Sequence, residues 1–118
     1  MATVSSHVLD AVAGCSAKHV RIECTALAAG GNREQIFAVH TDQDGRISES
    51  VDVGCGHADR QYELVFHTGD YFDAGADLPQ AGQIMRTVVV RVTMPDPQAR
   101  YHIPVIVGPH SYTVWWSA

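Results

Sequence analysis

The chain predicts an all-β fold, a two-sheet β-sandwich of about eight short strands with one short helix. Three observations carry this expectation. Apolar residues recur mostly at period two, the spacing of strands buried on one face. Turn-forming residues interrupt the alternation at regular intervals. One stretch alone carries helix punctuation.

The cleanest alternation is His19-Val20-Arg21-Ile22-Glu23-Cys24-Thr25-Ala26-Leu27, ended by the turn Ala29-Gly30-Gly31-Asn32. A strand over 35–41 follows and stops at Asp42-Gln43-Asp44-Gly45, where an Asp-Gly pair tolerates the positive φ of a tight hairpin. Arg46 sits just past that turn. Further strands are predicted over 48–53, 61–66, 87–94 and 101–107, with a short one over 112–115. The helix is predicted over 68–75. Thr68 is an N-cap type residue, Asp70 favours the first-turn dipole, and Gly75 stops the element. The span 76–82 reads as a surface loop. Met94-Pro95-Asp96-Pro97-Gln98 reads as a turn, since two prolines do not fit a paired strand. There is no internal repeat.

With 118 residues, the chain suits one core and one domain, spanning 1–118. Its 46% apolar and 18% charged residues describe a soluble globular protein, and no apolar run reaches the roughly 18 residues of a membrane span. A net charge of −5 without a Lys/Arg cluster argues against nucleic acid as a partner. No basic segment followed by an apolar run opens the chain, and Cys15, Cys24 and Cys55 show no disulfide-framework spacing, so a cytoplasmic location is expected. Cys55-Gly56-His57 supplies two ligand types in a Gly-rich turn, far from a tetrahedral set; no metal and no cofactor are expected.

The candidate catalytic set is His7, Arg46 and His102, at the edges of strand-like runs. An imidazole exchanges protons near neutral pH, and a guanidinium offers fixed donors to a carbonyl that gains negative charge. Together they suit activation of water against a polarised carbonyl. A covalent nucleophile is not required, and there is no Gly-x-Ser-x-Gly elbow. His19, His40, His57, His67 and His110 read as ordinary interior or surface residues, and the cysteines as chemically idle.

Ser6-His7-Val8-Leu9-Asp10, the Asp-Gly-Arg turn ending at Arg46, Phe66-His67-Thr68-Gly69-Asp70-Tyr71-Phe72, Tyr101-His102-Ile103-Pro104-Val105, Gly108-Pro109 and Ser111-Tyr112 occur in one order along the chain. The ordered set resembles the 5-hydroxyisourate hydrolase and transthyretin-like family nearly end to end. That resemblance implies a transthyretin-like sandwich assembled as a homotetramer, a dimer of dimers, with active sites at the dimer–dimer interface. It assigns catalysis to His7, His102 and Arg46: the histidines take a proton from water, which attacks a ring carbonyl, while the arginine steers and polarises a small cyclic substrate. The product is a ring-opened carboxylate of purine breakdown.

Two departures stand out. The family's tail reads Tyr-Arg-Gly-Ser and lines the active site, whereas here it reads Trp115-Trp116-Ser117-Ala118. These four are the candidate substrate-binding residues, with stacking surface replacing polar recognition; adjacent in a strand, the two indoles must face opposite sides. Where the family commonly reads Gly-Arg-Pro-Ala, this chain has Gly14-Cys15-Ser16-Ala17. Three functions follow in order: hydrolytic ring opening of 5-hydroxyisourate; a redirected enzyme performing ring closure, ring opening or isomerisation on another small cyclic compound of a biosynthetic pathway; and a non-catalytic small-molecule binder like transthyretin.

Overall fold

Strand β1 (Ala2–Asp10) organises one of two sheets. It pairs antiparallel with β2 (Cys15–Ser16) and β5 (Arg46–Val51), and parallel with β8 (Arg100–His102) and β9 (Val105–Val107). Strand β10 (Tyr112–Val114) adds to β9 at the edge. The second sheet has the order β4-β3-β6-β7, built from β3 (Arg21–Leu27), β4 (Arg33–His40), β6 (Gln61–Phe66) and β7 (Val88–Thr93). This computed structural model describes residues 1–54, 59–75 and 82–118. The Cys55-Gly56-His57 turn and positions 76–81 of the expected loop lie outside the described residues.

Alternation decides which side of each strand is buried. Ala2, Val4 and Val8 of β1, Ile47 and Val51 of β5, and Tyr101 and Ile103 near β8 face inward against Ile22, Cys24, Tyr62, Leu64 and Phe66 of the other sheet. Burying each larger side chain of this set stabilises the fold by about 1.5–3 kcal/mol. The complementary positions Ser5, His7, Arg46, Ser48 and His102 therefore share the outer face of the first sheet.

Strand β6 and the helix α1 (Thr68–Gly75) occupy the spans expected. Thr68 and Phe72, one helical turn apart, are buried, while Asp70 reaches outward to Arg86 at 3.3 Å. The single strand expected over 101–107 is two short ones. Pro104 has no N–H to donate, so the ladder stops there and resumes with the same offset against β1. The two-residue β2 is too short to leave a periodic signal.

Candidate active site

The Asp42–Gly45 turn sets the position of Arg46. Asp42 Oδ1 accepts from the backbone N–H of Asp44 and of Arg46, both at 2.9 Å. Those two hydrogen bonds, that from Arg46 foremost, hold the Asp42 carboxyl below its ordinary range. Gly45 has φ +72°, and a Cβ there would lie 2.6 Å from the Val8 carbonyl oxygen. Only glycine lets the turn lie this close to β1. The result places Arg46 directly opposite His7 in the β1–β5 register, on the same face.

His102 is fixed from the other side of β1, where it pairs with Ser5 in parallel register. The Ser5 hydroxyl lies 2.9 Å from His102 Nδ1. The His102 backbone also exchanges both hydrogen bonds with Ser117, at 3.1 and 2.9 Å, so the tail is stitched to the end of β8. Burial, foremost, lowers the His102 pKa, and the charges of Arg46, His7 and Arg100 lower it further. The imidazole therefore stays neutral to lower pH than a free histidine.

A cleft of about 470 Å³ opens over this face. Arg46, Arg100, His102, Ser5, Ser48 and Ala118 contribute to its walls. His7 lies beside the cleft rather than in its lining, two positions along β1 from Ser5 and so roughly 7 Å further along the strand. Its Nε2 is 3.1 Å from the hydroxyl of Ser16. Each imidazole is thus held by a serine at a different nitrogen, Nδ1 in His102 and Nε2 in His7.

Strand β10 ends at Val114, one residue short of the span expected, so Trp115 and Trp116 lie outside the strand and the tail does not follow its alternation. Ala118 lines the cleft, Ser117 pairs with His102, and Trp116 lines a separate groove with Val92, Pro95, Tyr101 and Ile103. Trp115 is 43% exposed and Trp116 63% exposed. Only the end of the tail approaches the cleft. Sequence reasoning missed Ser5, Ser16 and Arg100. Ser5 and Arg100 each stand two residues from a candidate histidine, so period-two spacing was the available signal. Ser16 had none, because the return of β2 onto β1 brings it to His7.

Two clustered arginines and a neutral, hydrogen-bonded imidazole form a site able to take a proton from water and to stabilise an oxyanion. Among the described residues no group of three metal-ligating side chains occurs, and no helix is long and apolar enough to cross a membrane.

Architecture and site together define a transthyretin-like sandwich bearing a histidine–arginine cleft on one outer face. The HIUase/Transthyretin family profile matches residues 4–116, and the chain belongs to that family. It is 37% identical to 5-hydroxyisourate hydrolase 2 of Rhizobium meliloti over 113 residues, covering 95% of this chain and 92% of the relative. It is 33% identical to the 5-hydroxyisourate hydrolase of Halalkalibacterium halodurans, covering 95% and 94%. Among solved structures, (S)-allantoin synthase superposes with a TM-score of 0.78 at 26% identity, over 99% of this chain and 44% of that longer one. The Klebsiella pneumoniae 5-hydroxyisourate hydrolase superposes over the whole of both chains with a TM-score of 0.77 at 21% identity, a likeness of fold.

Proposed function

We propose that this protein hydrolyses 5-hydroxyisourate, opening its ring to a carboxylate in purine breakdown. The observation that carries this reading is His102, kept neutral by burial and neighbouring charge in a cleft that also holds Arg46 and Arg100. His102 takes a proton from water, and the oxygen adds to the ring carbonyl. Arg46 and Arg100 stabilise the oxyanion. As the carbonyl reforms, the C–N bond breaks and the departing nitrogen receives a proton from the histidine pair. His7, beside Arg46, serves as the partner in proton transfer. The 37% identical relative bears the name of this activity.

The test is product identity. Hydroxyisourate made in place from urate and urate oxidase, with the protein present, should give the ring-opened carboxylate by ¹³C NMR ahead of the spontaneous reaction. A product spectrum and time course unchanged from the protein-free control would overturn the proposal.

Ala118 in the cleft wall and Trp116 turned into another groove favour a second reading, a redirected family member acting on a different small cyclic compound. Grafting the family's Tyr-Arg-Gly-Ser tail discriminates: hydroxyisourate turnover rises steeply if the present tail has changed specificity, and stays level if it has not. The assembly we propose is a homotetramer. Tyr112 and Val89, 44% and 48% exposed on the edge strands β10 and β7, support it, and light scattering on the purified protein tests it. The free thiols of Cys15 and Cys24 suit the cytoplasmic location we propose.

A further inference from the structure

A second cavity among the described residues is larger than the histidine–arginine cleft. A groove of about 720 Å³ lies between α1, the β2–β3 turn and the end of the second sheet, a size ordinary for small-molecule sites. Lys18, His19, Arg21, His40 and His67 line it. Lys18 is the only lysine of a chain with net charge −5, so this concentration of cationic and cation-capable groups runs against the overall charge. Tyr71, Phe72, Val12 and Ala13 supply apolar surface alongside them.

Hydrogen bonding at the groove is one-sided. Asp10 already accepts from the Val12 and Ala13 backbone at 2.8 and 2.9 Å and from the Tyr71 hydroxyl at 2.7 Å. Asp70 is paired with Arg86. Glu23 holds His67 at 2.6 Å and Arg21 at 3.5 Å. Lys18, His19 and His40, by contrast, make no side-chain hydrogen bond or ion pair among the described residues. The register places His40 directly opposite Arg21, and His67 donates its backbone N–H to the Arg21 carbonyl, so three of these side chains come from one corner of the sheet. His19 has φ 56°, the left-handed region that side chains rarely adopt, and this conformation is part of the groove wall. Donors without acceptors beside apolar surface are what an organic anion satisfies.

We propose that this groove is a second binding site, independent of the catalytic cleft, for a small organic anion: a carboxylate carried on an apolar ring. The carboxylate lies against Lys18 and His40 and the ring against Tyr71 and Phe72.

The single lysine makes the test direct. Reductive ¹³C-methylation keeps the charge and gives Lys18 the one side-chain dimethylamine signal, distinct from the N-terminal one. Titrating the intact protein with benzoate should move that signal and the His40 ring resonance saturably in the millimolar range, while the His102 resonance stays in place. Benzyl alcohol, which lacks the charge, should move neither. Lys18→Ala combined with His40→Ala should weaken benzoate roughly tenfold, read from the His19 ring, the loss of one exposed ion pair and one imidazole hydrogen bond. Lys18→Arg should restore binding. No saturable shift with benzoate, an equal response to benzyl alcohol, or undiminished binding in the double variant would each overturn the proposal. The outcome does not depend on whether hydroxyisourate is the substrate.

Discussion

Ser5 and His102, on adjacent parallel strands, are joined by a 2.9 Å contact between hydroxyl and Nδ1. That contact leaves Nε2 as the ring nitrogen of His102 without a protein hydrogen bond among the described residues. In His7 the arrangement is reversed, with Ser16 on Nε2. Ser16→Ala should therefore change the His7 tautomer balance, read as a displacement of its two ring ¹⁵N shifts, while leaving those of His102 unmoved. Restoration of the wild-type shifts by Ser16→Thr would tie the effect to the hydroxyl; unchanged ¹⁵N shifts in Ser16→Ala would remove Ser16 from the site.

Titration of His102 follows from the causes of its lowered pKa. Because the folded protein binds this proton less readily than the unfolded chain, the stability linked to His102 is complete above its ordinary value of 6.5 and declines as pH falls from there through the folded value. The acid limb of kcat/KM should lie below 6.5 for the same reason. Arg46→Gln removes the second-ranked cause and leaves burial, so an NMR titration of the His102 ring should move upward without reaching the free value.

Gly45→Ala tests the backbone that carries Arg46. The left-handed φ costs about 1–3 kcal/mol for a residue with a Cβ, and the approach to the Val8 carbonyl adds a clash. Denaturant unfolding should show that loss, and activity should fall further than stability because Arg46 moves with the turn.

Cys24 is fully buried and its thiol is pushed up to about 12 by desolvation, whereas Cys15 is exposed. In a Cys55→Ser background a thiol reagent at neutral pH should label Cys15 at once and Cys24 only on unfolding. Prompt labelling of both would show that the sandwich opens far more readily than its packing implies.

Leu64 is 1% exposed at the centre of β6. Leu64→Ala should cost about 2–5 kcal/mol, a core loss that lowers the melting temperature without altering the pH profile of whatever enzyme remains folded.

Much of the architecture is legible in the sequence because it depends on local pattern. Period-two alternation locates β6 and β3, and Thr68, Asp70 and Gly75 bound the helix. Pro104 divides a strand whose alternation runs through it unbroken, so the pattern alone hides the division. At the site, His7, Arg46 and His102 are recognisable by their flanks, and the register brings them to one face. Ser16 and the division of the tail between cleft and groove depend on which strands meet, a long-range relation with no periodic trace. The groove that holds Lys18 is assembled from the β2–β3 turn, β3, β4 and α1, so the sequence shows its histidines only as scattered single residues.

The most direct measurement is the decay of the ultraviolet band of freshly generated 5-hydroxyisourate at neutral pH, with wild-type protein and with His102→Gln. Hydrolysis through His102 predicts rapid decay with wild type and a loss of about 10²- to 10⁴-fold in the variant. Wild-type decay no faster than buffer, or a variant as fast as wild type, would contradict it.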